Sequence, residues 1–381
     1  MTTRGRGSMD LYSQRLAARL DVPVLTSDIY QRSARRFGVS LLSPTAVRLA
    51  YADLAFVRRL RRLETPVHVP NHHLARYAKL ANRPYVVTVH DLIRCLDRHR
   101  SHPLISRPNA RDRLLLAADW SGIRAAAGVI AVSETTRREL IEHVGLPEER
   151  VALAPNGIDH STFQPSNRRP FGFRYVLFVG SEQPRKNLPA LLEAMATLAR
   201  RPGTDDLRLV KVGRAGGQRY RADTVARIRE LGLGGHVVLT EWLPDEDLAA
   251  AYSGAECFVT PSLYEGFGLP SVEAMACGCP VITSSRGAMG EVAGDAALLL
   301  DDCEPGTLAA AISNVVCDGR LRSGLAAAGI RRAREFTWER TAAATRAAYR
   351  QFAERLAEPD RARRRRRLGR RSDAPALESP V

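Results

Sequence analysis

Tyr264-Glu265-Gly266-Phe267-Gly268-Leu269-Pro270-Ser271-Val272-Glu273-Ala274-Met275-Ala276-Cys277-Gly278 is the stretch that decides how the chain reads. An apolar run, Cys257-Phe258-Val259-Thr260, precedes it and has the composition of a buried strand. Gly266 and Gly268 leave a loop with little side chain in the way. Pro270 suits the first turn of a helix and Gly278 its C-terminal stop. Strand, glycine loop and short helix in that order aim free backbone N–H groups at whatever lies above the loop, where the helix dipole favours an anion. Glu265 enters the loop and Glu273 falls on the first turn of the helix. A loop that accepts phosphate, bracketed by carboxylates that accept from hydroxyls, fits a nucleotide sugar.

Working outward, the second half alternates strand and helix. Strands are expected at Tyr175–Val179, Leu207–Val212, Val237–Thr240, Cys257–Thr260, Val281–Thr283 and Ala297–Leu300. Helices are expected at Leu188–Arg200, Thr224–Leu231, Asp245–Tyr252, Pro305–Cys317 and Leu321–Glu335. This spacing means a parallel sheet covered on both faces. A last helix, Trp338 to Leu356, has Thr337 as its N-cap. In the first half, Val67–Val69, Tyr85–Val89, Gly128–Val132 and Val151–Ala154 read as parallel strands, with Val22–Thr26 and Val39–Leu42 as further short segments. Helices are expected at Leu11–Leu20, Pro44–Leu63 and, capped by Ser133, Glu134–His143. The arginines of Pro44–Leu63 suit the solvated rim of a core helix better than a lipid-facing surface. Pro155-Asn156-Gly157-Ile158-Asp159 is turn chemistry.

The bulk numbers agree with an ordinary globular protein of two or three domains. The chain has 381 residues, 45% hydrophobic and 26% charged. No apolar region follows Arg4 and Arg6, so no signal peptide is expected, and no run approaches a membrane span. Six scattered cysteines, of which only Cys277 and Cys279 are close, read as core thiols of a reducing, cytoplasmic compartment. The net charge is +16. Eight arginines against three acidic residues lie in 359–381, a segment expected to be a disordered basic tail. The remaining excess suits nucleotide phosphates, the anionic inner face of the cell membrane, or polyanions without sequence specificity.

The candidate chemistry lies at strand ends, where open α/β sheets bind ligands. His90 and Asp91 end one strand. Gly180-Ser181-Glu182-Gln183-Pro184-Arg185-Lys186-Asn187 ends another, and Arg185 and Lys186 can clamp a diphosphate. His72 and His73 are expected to face solvent. Asp245-Glu246-Asp247 matches a cation-binding D-x-D but reads as a capped helix start, so no metal is expected. There is no P-loop or nucleophile elbow, and Gly213–Gly217 lacks the third glycine of a dinucleotide loop.

Glu265 to Glu273 is an E-x(7)-E pattern, and it resembles the donor-site signature of the family 4 (group 1) retaining glycosyltransferases. Tyr175–Asn187, Val237–Ala255, Gly287–Gly294 and Phe336-Thr337-Trp338 resemble the family's C-terminal domain in order and spacing. Val87–Asp91, Val132-Ser133 and Pro155–Asp159 resemble its N-terminal half. The resemblance implies the GT-B fold, α/β with two Rossmann-like domains facing across a cleft. Residues 1–160 would form the acceptor domain, 161–174 a linker, 175–336 the donor domain and 337–357 a helix crossing back. It departs at the start, where no strand precedes Gly5–Asp10. It also implies roles. Gly180 lies in the donor loop; Arg185 and Lys186 hold the diphosphate. Glu265 and the amides of Phe267, Gly268 and Leu269 hold the sugar, Glu273 takes the ribose, and His90 adjoins the transferred sugar. A hexosyl group would pass from a GDP- or UDP-sugar to a sugar or lipid-linked acceptor, with no further cofactor. The competing readings are a sugar-nucleotide epimerase and an inactive scaffold that binds polyanions.

Overall fold

A computed structural model describes residues 2–3, 8–27, 44–96, 104–105 and 110–357. The segment at 39–42 and the basic tail lie outside the described residues. Two parallel sheets dominate.

The first sheet has four strands in chain order: β3 (Val67–Val69), β4 (Tyr85–Val89), β5 (Gly128–Ala131) and β6 (Val151–Leu153). β4 and β5 are wholly buried, as expected of apolar strands covered on both faces. One face packs on α2 (Pro44–Arg61) and α3 (Ala75–Ala81), through Phe56, Val57, Leu60, Tyr77 and Ala78. Arg58, Arg59, Arg61 and Arg62 stay exposed, as the expected solvated rim. A short helix α4 (Ile93–Leu96), α5 (Ala110–Ala125) and α6 (Glu134–Glu142) complete this half. Ser133 caps α6, its hydroxyl accepting from Thr136 N. A two-residue strand β1 (Thr2–Thr3) does precede α1 (Ser8–Leu20). It pairs only with β2 (Thr26–Ser27) and does not join the four-stranded sheet.

The second sheet has six strands: β7 (Tyr175–Val179), β8 (Arg208–Val212), β9 (Val237–Thr240), β10 (Cys257–Thr260), β11 (Val281–Ser284) and β12 (Leu298–Leu300). Their order is β12-β11-β10-β7-β8-β9. The edge strand β9 is only half-buried, whereas β10 and β11 are fully buried. The covering helices are α7 (Leu188–Leu198), α8 (Gln218–Glu230), α9 (Asp245–Gly254), α10 (Leu269–Ala276), α11 (Met289–Ala293), α12 (Pro305–Cys317) and α13 (Gly319–Ala333). Asp245-Glu246-Asp247 is the start of α9, as expected, with Pro244 in the N-cap position, and Asp247 pairs with Arg168 at 2.7 Å. One reading is corrected here. Cys317 is exposed, whereas Cys257, Cys277, Cys279 and Cys303 are the expected core thiols.

The last helix, α14 (Trp338–Gln351), returns to the first sheet. Thr337 caps it, accepting from Arg340 N. Ala348 and the fully buried Phe352 cover Val86, Ile130 and Ala154 on the sheet's second face. Trp338 and Ala342 pack against Tyr12, Leu16 and Leu20 of α1. Burying one such aromatic ring contributes about 2–3 kcal/mol. The chain's end therefore completes the core that its beginning opens.

Candidate active site

Three strand ends converge between the sheets. β4 delivers His90 and Asp91, β7 leads to Arg185 and Lys186, and β10 leads to Glu265 and the loop before α10. Together they line a cleft of about 410 Å³, with Tyr12 and Met9 of α1, Asn156, and Phe267–Pro270.

The loop into α10 takes its shape from two glycines. Gly268 has φ 90°, the left-handed turn that starts the helix. Gly266 lies against the first half, where a Cβ would collide with the His90 carbonyl oxygen. Pro270 sits in the first turn, as expected, and Gly278 follows the helix with φ 72°. Pro270 brings no N–H and Ser271 N donates to Gly268 O at 2.9 Å, so at the start of α10 it is the Leu269 backbone, with Phe267 and Gly268 before it, that lines the cleft.

Glu265 sits in a charge cluster on the cleft. Arg185 Nη1 lies 2.9 Å and Lys186 Nζ 2.6 Å from its carboxylate, and Ser262 donates to it at 2.9 Å. Burial opposes its charge, but Lys186 and Arg185 outweigh that and hold the carboxyl at about 2. Burial in turn lowers Lys186, against the pull of Glu265. Glu265 is therefore ionised near neutrality, and both cations rest against its carboxylate. Arg185 and Lys186 lie in a 3-10 turn, Pro184–Lys186, which Asn187 breaks off from α7 with φ 52°.

His90 faces this cluster from the other half. Its Nε2 lies 2.8 Å from the Pro70 carbonyl, which calls for an N–H there and leaves Nδ1 as the acceptor. Tyr12 packs edge-on against the ring at 4.7 Å. Burial pushes the imidazole down, so it is neutral. His72 and His73 do not face solvent as expected. His72 is buried, the two rings stack at 4.1 Å, and His73 lines the cleft.

Two expected site residues are not among those that line the cleft. Gly180 follows β7 behind Lys186, its N–H donating to Val212 O. Glu273 lies one turn into α10 and accepts from Tyr252 Oη at 3.1 Å. Burial raises its carboxyl to about 7, with the Tyr252 hydrogen bond opposing and the Asp245 charge adding. Tyr12, Asp91, Arg94, Asn156 and Gln183 line the cleft without having been singled out as site residues. Their only sequence signal was position after a strand or on the first helix.

Residues 159–332 match the family Glycosyl transferases group 1, and residues 9–162 match Glycosyltransferase Family 4. An O-antigen chain mannosyltransferase B of Escherichia coli is 31% identical over 74% of this chain and 73% of its own length. The chain belongs to the family 4 (group 1) retaining glycosyltransferases. An MMP alpha-(1->4)-mannosyltransferase of Mycolicibacterium hassiacum is 34% identical over 60% of this glycosyltransferase, an alignment that spans 55% of that relative. Among solved structures, Anabaena HepE in complex with UDP-glucose superposes with TM-score 0.71 at 20% identity, over 94% of this chain and 98% of that one. Sucrose-phosphate synthase from Thermosynechococcus elongatus gives 0.68 at 27% identity, over 80% and 77%. The fold is GT-B. Among the described residues no helix is long and apolar enough to cross a membrane.

Proposed function

We propose that this glycosyltransferase moves a hexosyl group from a GDP- or UDP-linked sugar to a hydroxyl of a sugar or lipid-linked acceptor, in cell-surface glycan or glycolipid synthesis. The observation that carries this reading is the Arg185–Glu265–Lys186 cluster at the start of α10, opposite His90 in one cleft. On donor binding the diphosphate takes up Arg185 and Lys186, beside the positive end of the α10 dipole. Glu265 and the amides of Phe267, Gly268 and Leu269 then hold the sugar. Glu273 takes the ribose hydroxyls, and His90, neutral, adjoins the transferred sugar with a ring acceptor free of the Pro70 bond.

In the reaction the bond between the anomeric carbon and the diphosphate oxygen breaks as the acceptor oxygen bonds to the same face. The acceptor's proton passes to the departing phosphate oxygen, so configuration is retained. Negative charge grows on the diphosphate, where two cations and a helix end are already arranged for it. That arrangement supports catalysis without a divalent metal. The net charge of +16 suits peripheral contact with an anionic membrane surface. A mannosyltransferase among the sequence relatives and UDP-glucose in a structural relative keep both donor classes in the proposal.

The test is thermal unfolding with UDP-glucose and GDP-mannose, since a ligand that binds the native state raises the midpoint. One of them should protect the wild type, and Arg185→Ala should lose the protection. Protection by neither would overturn the donor reading. Turnover of the donor to a new sugar nucleotide without acceptor would point to an epimerase instead.

A further inference from the structure

Lys211 breaks the apolar pattern of β8. The strand reads Arg208-Leu209-Val210-Lys211-Val212, and all but Arg208 are buried. The Lys211 side chain is fully buried, and so is that of Glu182, whose carboxylate it meets at 2.8 Å. Lys211 also donates to the Gly213 carbonyl just past the strand. Arg221 of α8 reaches the same carboxylate, with Nε at 3.0 Å and Nη2 at 2.8 Å. Burial opposes the charge of Glu182, but Lys211 and Arg221 outweigh that and hold its carboxyl below the usual range. Glu182 belongs to the segment between β7 and α7 that carries Arg185 and Lys186, and its N–H donates to Ala215 O at 2.9 Å. Gln183, Arg185 and Lys186 line the cleft, whereas Glu182 and Lys211 are not among the residues that do.

A buried lysine and glutamate are expensive to take out of water, and an apolar pair of similar volume is often as stable. The strands do not need them either. β7 and β8 already pair along their length, from Tyr175 opposite Arg208 to Val179 opposite Val212. What the ions add lies past the strand end, where they tie the Glu182 segment to β8 and α8. Resting on the donor-site reading above, we propose that the Lys211–Glu182–Arg221 triad positions the diphosphate clamp, fixing from behind the loop that presents Arg185 and Lys186 to the donor. Gln183, the next residue, accepts from Lys186 N at 2.9 Å and starts the 3-10 turn that holds both cations, so a shift of Glu182 is carried to them. With that anchor loosened, the loop must be ordered when the diphosphate binds, and the ordering weakens binding.

The probes are UDP and GDP, which carry the diphosphate without a sugar. Calorimetry gives their Kd, and urea unfolding gives stability, for wild type, Lys211→Met and the double variant Lys211→Met/Glu182→Leu. Lys211→Met leaves a buried carboxylate short of a partner, so it should lose stability and bind the nucleotide about tenfold more weakly. The double variant replaces the pair by apolar side chains. It should regain most of the stability yet keep the weakened Kd, and it carries the test if the single variant does not fold. Arg185→Ala should cost less affinity in the double variant than in wild type, because the loosened loop has already lost part of what Arg185 supplies. A double variant that binds as tightly as wild type would overturn the proposal, and so would full additivity with Arg185→Ala. If the wild type binds neither UDP nor GDP, the donor-site reading itself fails and takes this proposal with it.

Discussion

Glu265 and Glu273 are eight residues apart, yet their surroundings push them in opposite directions. Glu265 stays ionised because two cations touch it. Its carboxyl is lowered from 4.5 to about 2, so the stability it contributes is present above about 4.5 and is lost as pH falls from there toward 2. Glu273 is raised from 4.5 to about 7 by burial. The folded protein then holds more protons than the unfolded chain between those values, and stability from this group is lost as pH rises through them. For function the sign reverses, because only the carboxylate accepts from two ribose hydroxyls. The donor KM should fall as pH rises through about 7, and Glu273→Gln should flatten that dependence. Glu265→Gln should instead reduce turnover by about 100-fold with little change in donor KM. Steady-state kinetics across pH separates the two, and a pH-dependent donor KM in Glu273→Gln would remove Glu273 from the ribose site.

At the scale of elements, the two halves are joined by a side chain to which the sequence reading gave no role. The Glu291 carboxylate of α11 accepts from Glu134 N at 2.6 Å, Thr135 N at 2.9 Å and Thr135 Oγ1 at 3.1 Å, at the start of α6. An anion at a helix N-terminus is favourable, and here it comes from the other half of the molecule. Tyr264 Oη adds a bond to Glu139 at 2.5 Å, and Arg185 N donates to Leu104 O at 3.0 Å. Glu291→Ala should therefore weaken the closed arrangement by about 1–3 kcal/mol. Small-angle scattering of the unliganded variant should show a larger radius of gyration, and an unchanged radius would show that other contacts suffice to hold the halves together. The caps at Ser133 and Thr337 were legible because a cap is a local pattern of side chain and backbone. The start of α9 at Asp245 was legible in the same way, from Pro244 followed by three acidic residues.

The whole molecule depends on its last helix. Phe352 is fully buried on the first sheet, against a glycine, Gly128, where a Cβ would collide with the ring. Phe352→Ala should cost about 3–5 kcal/mol in urea unfolding, more than truncating a surface residue. Since Thr341 of the same helix donates to the Pro155 carbonyl, beside Asn156 on the cleft wall, the variant should also weaken donor binding. A loss of stability with unchanged donor KM would separate the two roles. This dependence also explains why the first half reads poorly in isolation. Its sheet is covered on one face by residues nearly 200 positions away.

The sequence by itself determined the order of strand, loop and helix, the two parallel sheets, the crossover helix and the family, because hydrophobic period, turn residues and caps act over a few residues. It also put Arg185, Lys186, His90 and Glu265 at strand ends. Only the tertiary structure decided what those ends touch. The pairing of Arg185 and Lys186 with Glu265 spans about 80 residues, and the seat of Glu291 on α6 spans about 150. The burial of Asn156 likewise depends on how the second half and the last helix lie against its loop. Such contacts depend on how two sheets seat against each other, and no local pattern encodes that.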